Sequence, residues 1–224
     1  EAPYRPTPLY FEVDGKRYFN ERPISTQQTA VTYLAQLRSW LPAHIGGVLW
    51  VGFDDAYMVA YAPVYCCSTI CPEPYAEKTA DPFTFSTKSA YWMANALSNF
   101  VYPRYSQLFP ELQAARDQLD SEFESLQTKI EDEAKEMDKE QAIRNLTAYT
   151  ARSAGLMMDR WRQLFERLIV KYNDMAIKPE ADGKYKKTPG GDHVPLIRSG
   201  YPERYKKAIV DATGQRYLAP QTDH

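Results

Sequence analysis

Histidine, cysteine, phosphate-type glycine loops and long apolar runs are all scarce in this 224-residue chain, and each scarcity removes a class of function. The histidines, His44, His193 and His224, share no paired ligand spacing. The three cysteines, Cys66, Cys67 and Cys71, all fall in the run V-Y-C-C-S-T-I-C-P. C-C-x-x-x-C is not the C-x-x-C knuckle of a zinc site, which needs four ligands or three plus water. No metal or other cofactor is expected. No apolar run approaches the roughly 20 residues of a membrane-crossing helix, so no membrane partner is expected. The glycine pairs in G-G-V at 46–48 and P-G-G-D at 189–192 lack the spacing and the following helix of a phosphate loop. There is no G-x-S-x-G elbow. Lysine and arginine (27) nearly balance aspartate and glutamate (29), for a net charge of −2. Such a chain offers no single-sign field to a phosphate backbone, and no nucleic-acid partner is expected.

What is present is a globular composition, 44% hydrophobic, in a chain long enough for a real core. Tyrosine is abundant at 17 residues. That level fits a sugar or peptide cleft and fits plain packing equally well. Pro3, Pro6, Pro8 and Pro23 keep the first stretch extended and irregular, with Asp14-Gly15 suited to a hairpin turn. Three strands are expected next, at 29–40, 46–53 and 56–65. Asp54-Asp55 is too short a link for a crossover, so the last two strands should be antiparallel. The run from Gly47 to Phe53 is apolar almost throughout, which suits a strand covered on both faces.

Ser86 or Thr87 is placed to cap a helix that stops near Pro103. Pro110 then opens a long helix with an apolar seam at Leu112, Ala115, Leu119, Phe123, Leu126, Ile130, Ala134 and Met137. After a bend at 138–141, a second seam runs from Ile143 through Leu146, Thr150, Ser153, Met157 and Trp161 to Leu168. The two helices should form an antiparallel hairpin. Glu131, Glu133, Lys135 and Glu136 are expected on its solvated face. An irregular tail from Pro179 carries a small basic run, Lys184, Lys186 and Lys187, able to touch an anion but read first as a solvated loop. A short helix follows around 201–212. The expected fold class is α+β, with antiparallel strands covered by helices, and the expected domains are 1–105, 106–178 and 179–224.

Four readings of the thiols are open: packing at the end of the third strand, a disulfide from Cys66 or Cys67 to Cys71, a metal site, and a nucleophile with His44 as base. Packing leads and the disulfide comes second. Arg38 is a lone charge ending an apolar strand. It is read first as an edge-exposed arginine or half of a structural ion pair, and second as a guanidinium held to fix a carboxylate or oxyanion.

Several runs carry a resemblance, in order along the chain: E-R-P-I-S-T-Q-Q-T, Q-L-R-S-W-L-P, I-G-G-V-L-W-V, Y-A-P-V-Y and F-S-T-K-S-A-Y-W-M-A-N-A-L-S-N-F-V-Y-P-R-Y. Together they resemble the later part of bacterial cysteine dipeptidases, relatives of the secernins and penicillin V acylase. The resemblance implies a four-layer αββα N-terminal-nucleophile hydrolase and a dipeptide or short peptide as substrate. It also implies a cysteine nucleophile at a mature N-terminus, with its own α-amine as base. All three cysteines here are interior, so none matches that nucleophile. The chain opens on Glu1, as expected of a C-terminal part whose partner is the missing first half, and which would be inactive alone. The resemblance gives Arg38 a supporting catalytic role, with Tyr65, Asp54 and Asp55 as substrate-cleft candidates. A bacterial source is implied, with the periplasm or secretion favoured over the cytoplasm. A homo-oligomer is also open. Set against this is a second reading, a non-catalytic interaction module that binds partners through its helical hairpin.

Overall fold

The runs read as strands form one small antiparallel sheet, and the apolar seams form long helices, so the chain is α+β as its patterns predict. The computed structural model describes residues 10–19, 25–26, 29–198 and 200–219. Pro3, Pro6, Pro8 and Pro23 lie outside the described residues. The chain divides into two compact units, Glu1–Arg167 and Leu168–His224.

In the first unit, β1 (Tyr10–Val13) and β2 (Lys16–Phe19) form a separate hairpin. Its turn residues Asp14 and Gly15 have φ of 52° and 71°, as a two-residue hairpin turn requires. The main sheet has the order β3-β4-β5: Val31–Leu37, Gly47–Phe53 and Ala62–Tyr65, all antiparallel. Its register places Gln36 and Tyr65 on either side of Val48. A four-residue helix, α1 (Ala43–Gly46), joins β3 to β4.

The third strand is shorter than the expected 56–65. The Asp55 side chain accepts the Tyr57 N–H, and the Asp55 carbonyl accepts the Met58 N–H. This closes a turn, so Met58, Val59 and Ala60 are buried as loop rather than strand. Every residue of β4 is buried or half-buried, as its apolar run suggests, while the edge strand β3 exposes Val31, Tyr33, Leu34 and Leu37.

Helix α2 (Ala90–Val101) is capped by Ser89, whose hydroxyl accepts the Trp92 N–H, rather than by Ser86 or Thr87. Helix α3 (Tyr105–Lys135) begins a turn and a half before Pro110, which lies inside it. The break falls at 136–138, earlier than expected, because Asp138 accepts the Gln141 N–H and starts α4 (Lys139–Tyr172) there. The two helices are antiparallel, tied by Arg160–Glu122 and Arg167–Glu111 ion pairs. Ile45, Val48 and Tyr65 of the sheet side share one core with Ile130, Ala134, Leu146 and Tyr149 of the hairpin.

The second unit starts with the last turn of α4. Strand pairs β6 (Ala176–Ile177) with β9 (Ile197–Arg198) and β7 (Glu180–Ala181) with β8 (Lys184–Tyr185) give the tail more order than expected of it. Helix α5 spans Glu203–Thr213. No described helix is long and apolar enough to cross a membrane.

Candidate functional site

Arg38 leaves β3 where β4 begins and β5 ends. Its backbone N–H donates to the Gly46 carbonyl at 3.0 Å. The approach is close enough to require glycine, since a Cβ at Gly46 would lie 2.6 Å from the Arg38 carbonyl oxygen. The guanidinium crosses to α3. Nη1 and Nη2 each donate to the Glu131 carboxylate at 2.7 Å, a two-pronged pair. Nη2 also donates to the Ile45 carbonyl at 3.0 Å, and Nε lies 3.5 Å from the Gly46 carbonyl. Glu131 accepts two more bonds, from the Tyr65 hydroxyl and from Gln127 Nε2 at 2.9 Å. The Arg38 and Glu131 side chains are only 11% and 9% exposed.

Burial acts to raise the Glu131 carboxyl, but the donors from Arg38, Tyr65 and Gln127 outweigh it and hold it below its usual value. Burial and the neighbouring carboxylate push the Tyr65 phenol well above its ordinary range. The cluster is therefore a fixed anion held by a fixed cation and a neutral phenol. It is built to hold geometry, not to exchange protons at ordinary pH.

Helix α4 secures the adjoining strand end. The Tyr65 N–H donates to Thr150 Oγ1 at 3.1 Å, the Ser68 hydroxyl donates to the same oxygen at 2.9 Å, and the Thr69 N–H donates to Thr147 Oγ1 at 3.2 Å. The cysteine turn is thus tied to the hairpin. All three thiols are free, so the disulfide reading is not what this structure contains. Cys67 packs against the core around Ile45 and Val48, as the packing reading expects. Cys66 and Cys71 are exposed and depart from that reading. Burial pushes the Cys67 thiol up, the opposite of an activated nucleophile. Among the described residues no group of three or more His, Cys, Asp or Glu side chains is arranged to hold a metal.

Asp54 and Asp55 form a second polar cluster at the other end of β4, about 20 Å along the strand from Tyr65's neighbour Val48. Asp54 sits at φ 75° and is fully buried. Its carboxylate accepts Asn95 Nδ2 at 2.8 Å and the Ser98 hydroxyl at 2.5 Å, both from α2. Asp55, also buried, accepts the hydroxyls of Ser25 and Tyr102 and the Tyr57 N–H. Burial raises both carboxyls despite these donors. Beside them Tyr57, Phe109 and Tyr105 stack, with 4.9 Å and 4.7 Å between successive rings.

Arg38 and Tyr65 therefore meet in one cluster, and Asp54 and Asp55 stand apart in another. Glu131, expected on the solvated face, is buried and completes the Arg38 cluster. Its neighbours Glu133, Lys135 and Glu136 are exposed, as expected. The signal for Glu131 was present: Gln127, Ile130, Glu131 and Ala134 fall at i, i+3, i+4 and i+7, one stripe of α3, and all four are buried. Two polar residues on an otherwise apolar stripe need a buried partner, and Arg38 is the strand charge able to supply one.

The profile of Peptidase family C69 matches residues 4–118 of this chain. A probable dipeptidase from Latilactobacillus sakei is 30% identical over 84 residues, which is 38% of this chain and 17% of that protein. The aligned stretch thus spans about a sixth of that relative's length. The matched residues take in the whole three-stranded sheet, helix α2, the Asp54–Asp55 cluster, and Arg38 and Tyr65 of the other cluster, whose Glu131 and Gln127 lie beyond the match, so on half its length this chain belongs to Peptidase family C69.

Proposed function

We propose that this chain forms part of a dipeptidase, a hydrolase that cleaves the peptide bond of dipeptides through an N-terminal cysteine lying outside these residues. The observation that carries the reading is the family match across the sheet, supported by the dipeptidase name of the Latilactobacillus sakei relative. In this chemistry the free α-amine takes the thiol proton, and the thiolate adds to the peptide carbonyl. The amine-side product leaves with that proton, and water then cleaves the thioester. An interior cysteine has no free α-amine, and the thiol of Cys67 is raised rather than activated.

Within that reading Arg38 is a positioning residue that holds the sheet end against α3 through Glu131. Tyr65 shares that task, and Asp54 with Asp55 fixes the opposite end against α2. The test takes the protein as its native host makes it, measuring intact mass, the first residue and dipeptide hydrolysis. A product much heavier than 25.8 kDa that begins with cysteine, and loses activity on Cys→Ala there, is expected. Dipeptide hydrolysis by the 224-residue chain alone, abolished by replacing Cys66, Cys67 or Cys71, would overturn it.

A further inference from the structure

We propose that the second unit carries a binding site for a small apolar carboxylate, in a cavity walled by the last turn of α4 and the two hairpins that follow it. The cavity measures about 270 Å³. That is just below the roughly 300–1,000 Å³ of sites for drug-sized molecules, so it suits a fragment-sized ligand. Val170, Tyr185, Val194 and Leu196 give it an apolar lining. The ionisable side chains that join them are Lys178, Lys186 and His193, and no carboxylate lines the wall.

The walls are held by backbone bonds. The Lys178 N–H donates to the Lys171 carbonyl at 2.9 Å, and the Lys186 N–H to the Pro179 carbonyl at 2.9 Å. The Val194 N–H reaches the Lys186 carbonyl at 3.3 Å, and Lys187 bridges His193 in antiparallel fashion. Gly183 at φ 73° and Gly191 at φ 92° turn the two hairpins. Two carboxylates adjoin the lining in sequence and neither lines the cavity: Glu180, engaged by Lys171 at 2.7 Å, and Asp192, next to His193. Lys178 Nζ is drawn onto the Val170 carbonyl in the last turn of α4. Lys186 forms no ion pair among the described residues. The basic run of the tail therefore places one of its lysines against an apolar hollow, where its charge has no ion-pair partner among the described residues.

An apolar hollow rimmed by cations selects an apolar group bearing one negative charge. A free amino acid fits poorly, because its ammonium would meet two lysines and no carboxylate. Two sources satisfy the chemistry: a free apolar acid, and the C-terminal residue of a peptide. The site lies outside residues 4–118, so it goes beyond the dipeptidase reading and stands or falls separately from it.

The test titrates the 15N-labelled 224-residue chain with 3-phenylpropionate, N-acetylphenylalanine, L-phenylalanine and 3-phenylpropionamide, following backbone amide shifts. Shifts centred on Lys186, Val194 and Leu196 are expected from the two N-blocked or amine-free acids. The neutral amide and the free amino acid should bind about tenfold more weakly. N-acetylphenylalanine binding ahead of 3-phenylpropionate identifies a peptide C-terminus as the source, and the reverse order identifies a free acid. Lys186→Gln should weaken the acids alone, with an otherwise unchanged amide spectrum. Equal binding of acid and amide would reduce the site to an apolar crevice and overturn the proposal. So would no localised shift up to about 10 mM. The comparison on the unsubstituted protein decides the matter even if the variant fails to fold.

Discussion

Removing either partner of the Arg38–Glu131 pair should be among the most damaging single changes available in the first unit. Glu131 receives four donors: two from Arg38 at 2.7 Å, one from Tyr65, and one from Gln127 at 2.9 Å. Arg38→Leu strips two of these and leaves a buried carboxylate facing leucine. Breaking a buried pair on one side costs about 3–5 kcal/mol. Against a whole-domain stability of about 5–15 kcal/mol that is a large fraction. Glu131→Leu leaves the guanidinium with two backbone carbonyls as partners and should cost a similar amount. The double variant Arg38→Leu/Glu131→Leu removes both charges at once. It should lose less than the sum of the singles by at least about 1 kcal/mol.

Urea unfolding of the four proteins at neutral pH supplies the cycle. A pH arm adds an independent sign. Glu131 titrates below its unfolded value in the folded chain, so its stabilisation is complete above the unfolded value of about 4.3. It fades as pH falls through the lower, folded value. Glu131→Gln should flatten that part of the acid limb. If either single variant costs less than about 1 kcal/mol, the pair behaves like a surface ion pair and the reasoning fails. It fails equally if the singles add within error.

Thr150→Val removes the acceptor of the buried Tyr65 N–H and of Ser68, and should lower stability by about 1–3 kcal/mol in the same urea assay. Gly46→Ala drives a methyl to 2.6 Å from backbone oxygen, where no side chain can give way, and should cost about 1–3 kcal/mol or prevent folding. With a small thiol reagent, Cys66 and Cys71 should react readily in the native chain, while Cys67 lags by about tenfold or more and catches up in urea. The exposed β3 face makes the 224-residue chain prone to self-association by ultracentrifugation, and Tyr33→Lys with Leu37→Lys should suppress it.

Much of the fold was legible because its signals are local. Asp14-Gly15 fixed a hairpin turn, an alternating run marked β3, an apolar run marked β4, and two seams marked a helical hairpin. The misplaced boundaries share one cause, which is a side chain outcompeting the expected backbone pattern. Asp55 took the Tyr57 N–H and ended the third strand's claim on 56–61. Ser89 rather than Ser86 met an orphan helix donor, and Asp138 did the same for α4. The partners in the candidate site were the hardest to see. Arg38 and Glu131 are separated by 93 positions, and Asp54 and Ser98 by 44. Neither separation leaves a mark on local spacing.

That long-range pairing also bears on what Arg38 can do for a reaction. A guanidinium offers five N–H groups. Two of them meet Glu131, a third the Ile45 carbonyl, and the Nε–H faces the Gly46 carbonyl. A single Nη1–H is left, on a side chain 11% exposed. A clamp on a carboxylate or oxyanion works through two parallel donors aimed at the ligand, and here both prongs are aimed at Glu131. On the proposed reading, Arg38 would therefore act on chemistry through position. It locks the β3 end and the glycine-tight turn at 46–47 to α3, while Thr150 and Thr147 lock the β5 end to α4. Together these bonds tie the sheet end, with its cysteine turn, to the hairpin. A residue serving that purpose tolerates loss of charge only if the shape and the partner change with it. This is why the double variant, rather than either single one, separates a positioning arginine from a ligand-binding one.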